Sequence, residues 1–237
     1  WYSGLIGKAF LKVAGELAEM VYIPDELFNL VTPKVTDADR PAIRPAVNQK
    51  PRGIHPADSS ILDHLTDVLA AARMARRLPP DVYTVWGIPQ TFLASLLASA
   101  GLMDESGQPV PESLKTYFQQ DRSASLLMLF QAWVESKEIN ELRMLPGLVF
   151  EGAWTNDPLT PRKVLLELLS SLPTETWWSI SSLLSMVKNQ APDFQRPAGD
   201  YDSWFIREEN GENYLRGYEY WNEIDGRLLY FILTGPL

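Results

Sequence analysis

Between Ile180 and Gln190 the chain carries Ser181, Ser182, Ser185, Lys188 and Asn189 among apolar residues. Hydroxyl, amide and ammonium groups on one side of a helix can meet base edges and phosphates in a DNA major groove. Arg196 follows this stretch, and Arg162 and Lys163 stand on the segment before it. These eight side chains are the candidate nucleic-acid contacts. Their charge is small. From 160 to 198, Arg162, Lys163, Lys188 and Arg196 face Glu167, Glu175 and Asp193, a net +1. From 199 to 237 the balance is −5, with Glu208, Glu209 and Glu212 close together. Carboxylates brought towards phosphate oppose the counterion release that drives DNA affinity. A second basic patch is formed by Arg73, Arg76 and Arg77; positive charge at a helix C-terminus also suits the helix dipole without any ligand. The stretch from 89 to 100 offers Gln90, Thr91, Ser95 and Ser99 with no positive charge, a poor reader of DNA.

Reactive chemistry finds little support. His55 and His64 are the only histidines and cysteine is absent, whereas a zinc site needs three or four closely spaced ligands. His64 stands beside Asp63 and near Asp67, and reads as an ordinary helical histidine. Asp200 with Asp202, and Glu208 with Glu209, flank an expected hairpin and read as solvated turn residues rather than acid–base pairs. The run GLIGKA at Gly4–Ala9 has only two residues between its glycines and no hydroxyl after the lysine, so it lacks the parts of a phosphate-binding loop. No G-x-S-x-G is present. No catalytic residue, metal ligand, cofactor or small-molecule substrate is expected, and the chain is read as not being an enzyme.

The elements that must hold these residues follow from spacing. Thr160 before Pro161 predicts a helix start, with Leu165, Leu168, Leu169 and Leu172 on one face and Pro173 ending it. Ser179 predicts a second start, with Ile180, Leu183, Leu184 and Val187 inward and Pro192 limiting its length. Trp177 and Trp178 are expected to plug the angle between the two helices. Alternation begins at Ser203, with Trp204 and Ile206 on one side and Phe205 and Arg207 on the other. Tyr214 and Arg216 mirror it beyond the Glu-Asn-Gly-Glu turn, which predicts a hairpin. Trp221, Ile224, Leu228, Leu229 and Ile232 then return to helical spacing. A helical hairpin, a short third helix, a two-stranded wing and a closing helix are expected over 160–237, which makes it a winged helix-turn-helix unit by order of elements.

Earlier in the chain, Leu5–Val13 and Leu17–Ile23 predict a hairpin turning at Ala14-Gly15-Glu16, and a short helix with Leu27, Leu30 and Val31 follows. Residues 1–31 are expected to be a partial wing and short helix of an upstream unit. Residues 32–57 read as a proline-rich basic linker, Lys34, Arg40, Arg44, Lys50 and Arg52 against Asp37 and Asp39 giving +3. Residues 58–137 form a helical, winged-helix-like unit. Asp58 caps a helix carrying Ile61, Leu65, Val68, Leu69 and Ala72. Pro89 opens another with Phe92, Leu93, Leu96 and Leu97 inward, closed by Gly101-Leu102. The turn Asp104–Gln108 and a short strand at Val110-Pro111 lead to helices around Leu114 and Phe118 and over Ser123–Trp133. Residues 138–159 read as a connector containing Trp154.

The chain has 237 residues, 46% of them hydrophobic, and a formal charge of −9, which bounds it to one large or two modest cores with an acidic surface. No apolar run reaches the roughly twenty residues that span a bilayer, and no signal peptide is evident. A cytoplasmic setting is expected. Trp1 at the start and Gly-Pro-Leu at the end suggest a piece of a longer chain.

The run LLASAGLMDESGQPVPESLKTYF at 96–118, with LLMLFQAWVES, DFQRPAGDYDSWFI, YLRGYEYWNEIDGRLLYFILTGPL and the opening GLIGKAF and VYIPDELF, resembles the winged-helix region of bacterial proteins related to the XPB helicase N-terminal domain. The resemblance implies a helicase-associated tandem winged-helix module in a DNA-repair or transcription machine. It carries no catalytic residue to transfer. The expectation is therefore an α+β, mostly helical chain with tandem winged-helix-like units and short β-hairpin wings. Its partner is expected to be a protein or the remainder of a longer chain. The alternative is direct DNA binding through 180–190 with Lys188 and Arg196. Trp204, Phe205, Tyr218 and Tyr220 are read as a partner surface or, more simply, as core.

Overall fold

The computed structural model describes residues 7–13, 16–22, 53–55, 57–196 and 199–237. The expected helix at Leu27, Leu30 and Val31 and most of the basic arm, through Arg52, lie outside the described residues. The chain is α+β and mostly helical. None of its described helices is long and apolar enough to cross a membrane. Contacts divide it into one unit at 58–140 and a second that joins 141–237 to the strands near the N-terminus.

The first unit contains five helices: α1 (Ser60–Arg73), α2 (Pro80–Trp86), α3 (Gln90–Ser99), α4 (Pro111–Gln119) and α5 (Arg122–Glu135). The buried residues of α1 are Leu62, Leu65 and Leu69, so its inward face is rotated from the expected one and Ile61, Val68 and Ala72 are only half-buried. Asp58 caps from one position further out, its Oδ1 accepting the Ser60 N–H at 2.9 Å. In α3, Phe92, Leu93, Leu96 and Leu97 are all buried as their spacing predicts. Gly101 then adopts φ 66°, the Leu102 N–H donates to the Leu97 carbonyl, and the Gly101 N–H donates to that of Ala98, both at 2.9 Å. This closes a Schellman motif with Leu97 and Leu102 both buried.

The turn that follows is organised by Asp104, whose Oδ1 accepts from the Ser106 N–H, the Ser106 hydroxyl and the Gln108 N–H. Met103 and Pro109 bridge across it. Val110, expected in a strand, is instead the cap residue of α4, where Leu114 and Tyr117 are buried and Phe118 is exposed. Asp121 caps α5 by accepting the Ala124 N–H at 2.9 Å. Arg122 then reaches back to α1: Nε donates to the Ser59 hydroxyl at 2.8 Å, while Nη1 and Nη2 donate to the Asp63 carboxylate at 3.0 and 2.9 Å. That fork ties the start of α5 to the start of α1.

Among the described residues the second unit holds two sheets. β1 (Gly7–Val13) and β2 (Glu16–Tyr22) pair antiparallel, Gly7 opposite Tyr22 and Val13 opposite Glu16, the hairpin that the two strand-like runs predict. β3 (Gly53–His55) flanks β1, and β5 (Trp177–Ser179) flanks β2, giving the order β3-β1-β2-β5. Met20 lies opposite Ser179 and Tyr22 opposite Trp177. This pairing places the N-terminal hairpin beside the C-terminal segment, not in an upstream unit. It also corrects the reading of Trp177 and Trp178 as a plug: both are strand residues, with the buried Trp178 ring donating Nε1–H to the Pro173 carbonyl at 3.1 Å.

Two helices flank β5 in sequence, α6 (Leu159–Ser170) and α7 (Ile180–Gln190). Asp157 starts α6: its carboxylate accepts from the Leu159 N–H and from the Thr160 hydroxyl, so Thr160 braces the cap instead of forming it. Leu165, Leu169 and Leu172 are buried with Leu166, while Leu168 is half-buried. The expected connector at 138–159 contains a 3-10 turn at Glu141–Met144 and a strand, β4 (Leu148–Glu151). β4 pairs antiparallel with β6 (Phe205–Glu208), Leu148 opposite Glu208 and Glu151 opposite Phe205. The hairpin expected beyond β6 is reduced to one bridge between Arg207 and Tyr214. A 3-10 turn (Tyr218–Tyr220), a π-helical turn (Asn222–Gly226) and α8 (Arg227–Thr234) complete the unit, with Trp221, Ile224, Leu228, Leu229 and Ile232 buried as predicted.

Candidate functional site

Ser179 starts α7 by accepting the Ser182 N–H at 3.3 Å, which fixes the faces of the helix that follows. Ile180, Leu183, Met186 and Val187 turn inward. Ser181, Ser185, Asn189 and Gln190 are exposed, and Ser182 and Lys188 are half-buried. Spacing of four residues puts Ser181, Ser185 and Asn189 in one outward row. That row is uncharged, and the Ser181 hydroxyl lies 2.8 Å from that of Ser179.

The cations expected around this helix are arranged differently from the contact set drawn from sequence. Lys188 donates Nζ to Asn222 Oδ1 at 3.2 Å and lies 5.2 Å from the Tyr218 ring centroid and 5.5 Å from that of Trp221. The Tyr218 hydroxyl donates in turn to the Lys188 carbonyl. Lys163 is exposed, with Glu167 one helical turn away at 3.9 Å.

Arg162 and Arg196 are not surface contacts. Arg162 is 0% exposed and donates Nε and Nη2 to Glu141 at 2.8 and 3.0 Å. The Arg196 side chain is 1% exposed, with Nη2 between the two Asp225 oxygens at 3.1 and 3.0 Å. Gln195 also donates to Asp225, at 2.6 Å. A buried guanidinium needs a matched carboxylate: Glu141 meets Arg162 through two nitrogens, Nε and Nη2, and Asp225 meets Arg196 with both oxygens on the single Nη2. Burial pushes the Asp225 carboxyl above its ordinary range, against the opposing pull of Arg196 and Gln195. The Gln195 Oε1 and Arg196 Nε atoms are buried without a hydrogen-bond partner.

Arg196 also takes part in an aromatic column that spacing alone did not disclose. Its guanidinium carbon lies 4.1 Å from the Trp204 centroid and 4.9 Å from that of Tyr201. Trp204 stacks on Trp154 at 4.9 Å and 13°, and Arg143 covers the far side of Trp154 at 4.0 Å. The Arg143 Nη2 donates to the Trp154 carbonyl, and Trp154 Nε1 to that of Glu151. Cation–π contacts of this kind contribute about 0.5–2 kcal/mol each, more where water is excluded. Both tryptophans were visible in sequence, but their pairing depends on β4 and β6 lying side by side.

On the same two strands, Glu151 accepts from Arg207 Nε at 2.8 Å and from the Tyr214 hydroxyl at 2.7 Å. Those two donors, Tyr214 first, hold its carboxyl below the usual glutamate range, and Tyr214 is raised in response. Phe205 is 38% exposed and meets Tyr214 edge-on, while Arg216 lies over both rings. Of the aromatic set proposed as a partner surface, Phe205 and Tyr218 are exposed, Tyr220 is half-buried and Trp204 is core. Glu208, Glu209 and Glu212 are exposed around the turn after β6.

In the first unit, Arg73, Arg76 and Arg77 are exposed at the end of α1 and make no ion pair among the described residues. His64 stacks on Trp86 at 4.3 Å and 18°, a packing role. Among the described residues no group of three or more His, Asp or Glu side chains is arranged to hold a metal ion. Asp200 accepts from the Ser203 N–H and hydroxyl, a closed turn rather than an acid–base pair with Asp202. Comparison with family models, curated proteins and solved structures finds no match to this chain.

Proposed function

We propose that this chain is a non-catalytic docking module of the winged-helix kind that holds protein partners in a helicase-linked DNA-processing or transcription machine. The succession α6, β5, α7 and β6 with its returning turn supports the winged plan, and the residue runs quoted for the XPB-type resemblance support the helicase association. A plan of this kind serves protein and DNA alike, so the choice between them rests on the surface.

One observation carries that choice. The arginines that would neutralise phosphate beside α7 are spent on interior carboxylates, Arg162 on Glu141 and Arg196 on Asp225. Lys188 is held by Asn222 and two rings. What α7 exposes is Ser181, Ser185, Asn189 and Gln190, while the turn after β6 exposes three glutamates. Such a surface releases few counterions and gains little from a polyanion.

The test is a titration with duplex, forked and single-stranded DNA over a range of salt. The expected result is no more than non-specific affinity, a Kd weaker than about 10⁻⁴ M, with a shallow salt slope. Tight binding with a steep slope, lost on Lys163→Glu and Lys188→Glu, would overturn the protein-docking reading in favour of direct DNA binding.

A further inference from the structure

The two-stranded sheet of the second unit has an edge whose main chain is unpaired. Phe150 lies opposite Ile206, and the Ile206 carbonyl turns away from β4 to accept the Leu215 N–H at 2.7 Å. The Glu209 N–H points the other way, donating to the Gly147 carbonyl at 2.9 Å. In an antiparallel pair, residues that exchange hydrogen bonds alternate with residues that do not. Val149 and Glu151 are therefore the β4 residues bonded to β6, whereas the N–H and C=O groups of Leu148 and Phe150 point off the far edge of β4. No described residue takes them up. Main-chain groups on such an edge need water or an added chain.

An arginine without a carboxylate stands at each end of this strand. Before it, Arg227 Nη2 donates to the Pro146 carbonyl. After it, the exposed Arg143 lies over the Trp154 ring at 4.0 Å and the Phe150 ring at 5.6 Å, and donates to the Trp154 carbonyl. Neither guanidinium is in an ion pair among the described residues. The acids on the flanking elements, Glu141, Glu151 and Asp225, are taken by Arg162, Arg207 and Arg196.

We propose that β4 takes an acidic extended segment of a protein partner as a third strand, its main chain on Leu148 and Phe150 and its carboxylates on Arg143 and Arg227. The proposal rests on the protein-docking reading and names the chemistry of the partner. Strand addition draws affinity from the main chain and specificity from alternate side chains. Pro146 and Phe150, which the two arginines contact, are separated by about 10–13 Å of extended chain, so glutamates at i and i+4 on one side of the incoming strand match them. Guanidinium groups bind such carboxylates through paired hydrogen bonds. The same groups disfavour the rival occupants. A nucleic acid has no alternating N–H and C=O groups with which to continue the ladder. A second copy pairing β4 on β4 sets arginine against arginine, Arg143 against Arg227 in the antiparallel sense and each against itself in the parallel sense, and like charges oppose both.

The test uses the whole chain and a fluorescein-labelled peptide of about ten residues, alternating valine and threonine with glutamate at the fourth and eighth positions, followed by anisotropy against salt. Saturable, salt-sensitive binding is expected. A single N-methyl group on the fifth or on the sixth amide separates main-chain pairing from side-chain contact: the one that faces β4 weakens binding about tenfold or more, and the other leaves it unchanged. Arg143→Glu also weakens binding about tenfold. Lysine in place of one of the two glutamates restores it, which shows that the variant is folded and gives the strand direction. Absence of binding, an equal response to the two methyl positions, or no recovery with either lysine peptide would overturn the proposal. So would a dimer of the chain that the peptide dissociates, or DNA that displaces the peptide in an Arg143-dependent way. DNA binding that depends on Lys163 and Lys188 while the peptide stays bound tells the two readings apart: it overturns that of α7 and not the occupancy of β4.

Discussion

Arg196 is in the interior because Asp225 and two aromatic rings meet it there. Replacing it by methionine leaves the Asp225 carboxylate buried beside Gln195 without its cation, which costs about 3–5 kcal/mol. The double variant Arg196→Met, Asp225→Leu is expected to regain most of that loss, as chemical denaturation would measure; a double variant no better than the single one would contradict the pairing. Glu151 gives a second residue-level test. Its folded carboxyl is held low by the Tyr214 hydroxyl and Arg207. Its stabilisation is therefore present above the ordinary glutamate range and is lost as pH falls through the lowered folded value. Tyr214→Phe should move the Glu151 titration upward in carboxyl-detected NMR; an unchanged titration would contradict the Tyr214 contact. At this scale, sequence was least informative for Arg162 and Arg196. An arginine read by itself belongs at the surface, and the carboxylates that draw these two inward, Glu141 and Asp225, are distant in sequence.

At the scale of elements, β6 shows what alternation can resolve. Ile206 is 0% exposed and its neighbour Phe205 is 38% exposed. Ile206→Ala is expected to cost about 2–5 kcal/mol, and Phe205→Ala clearly less, when unfolding midpoints are compared. The ends of α3 at Gly101 and of α1 at Ala75, which has φ 51°, share Schellman geometry and make a matched pair. Gly101 fits its left-handed conformation and Ala75 does not, so Ala75→Gly should stabilise the chain by about 0.5–1 kcal/mol; a fall in the thermal midpoint would refute this. Local signals of this sort were legible: the Leu-Leu spacing before Gly101, the Asp104 turn, Ser179 ahead of α7, and the Trp204–Arg207 alternation. β4 was not, because four residues between glycines carry no period of their own and become a strand only against β6. β5 was concealed for the same reason, its partner β2 lying far up the chain.

For the whole molecule, the division of contacts at 58–140 predicts two separable unfolding steps. Ala75→Gly and Ile206→Ala should then move different steps in calorimetry, and movement of one common step by both would argue against two units. The same division bears on the order of assembly. Met20 pairs with Ser179, so the four-stranded sheet of the second unit is stitched from distant parts of the chain, and all of 58–140 lies in the intervening loop. Closing so long a coil is entropically unfavourable and contributes to a high contact order. Once α1–α5 have folded, that stretch becomes a compact bead of fixed span and the effective loop is shortened. The five-helix unit would thus act as a folding insert that must collapse first, with the β2–β5 seam among the last contacts to form and, in a destabilised variant, among the first to open.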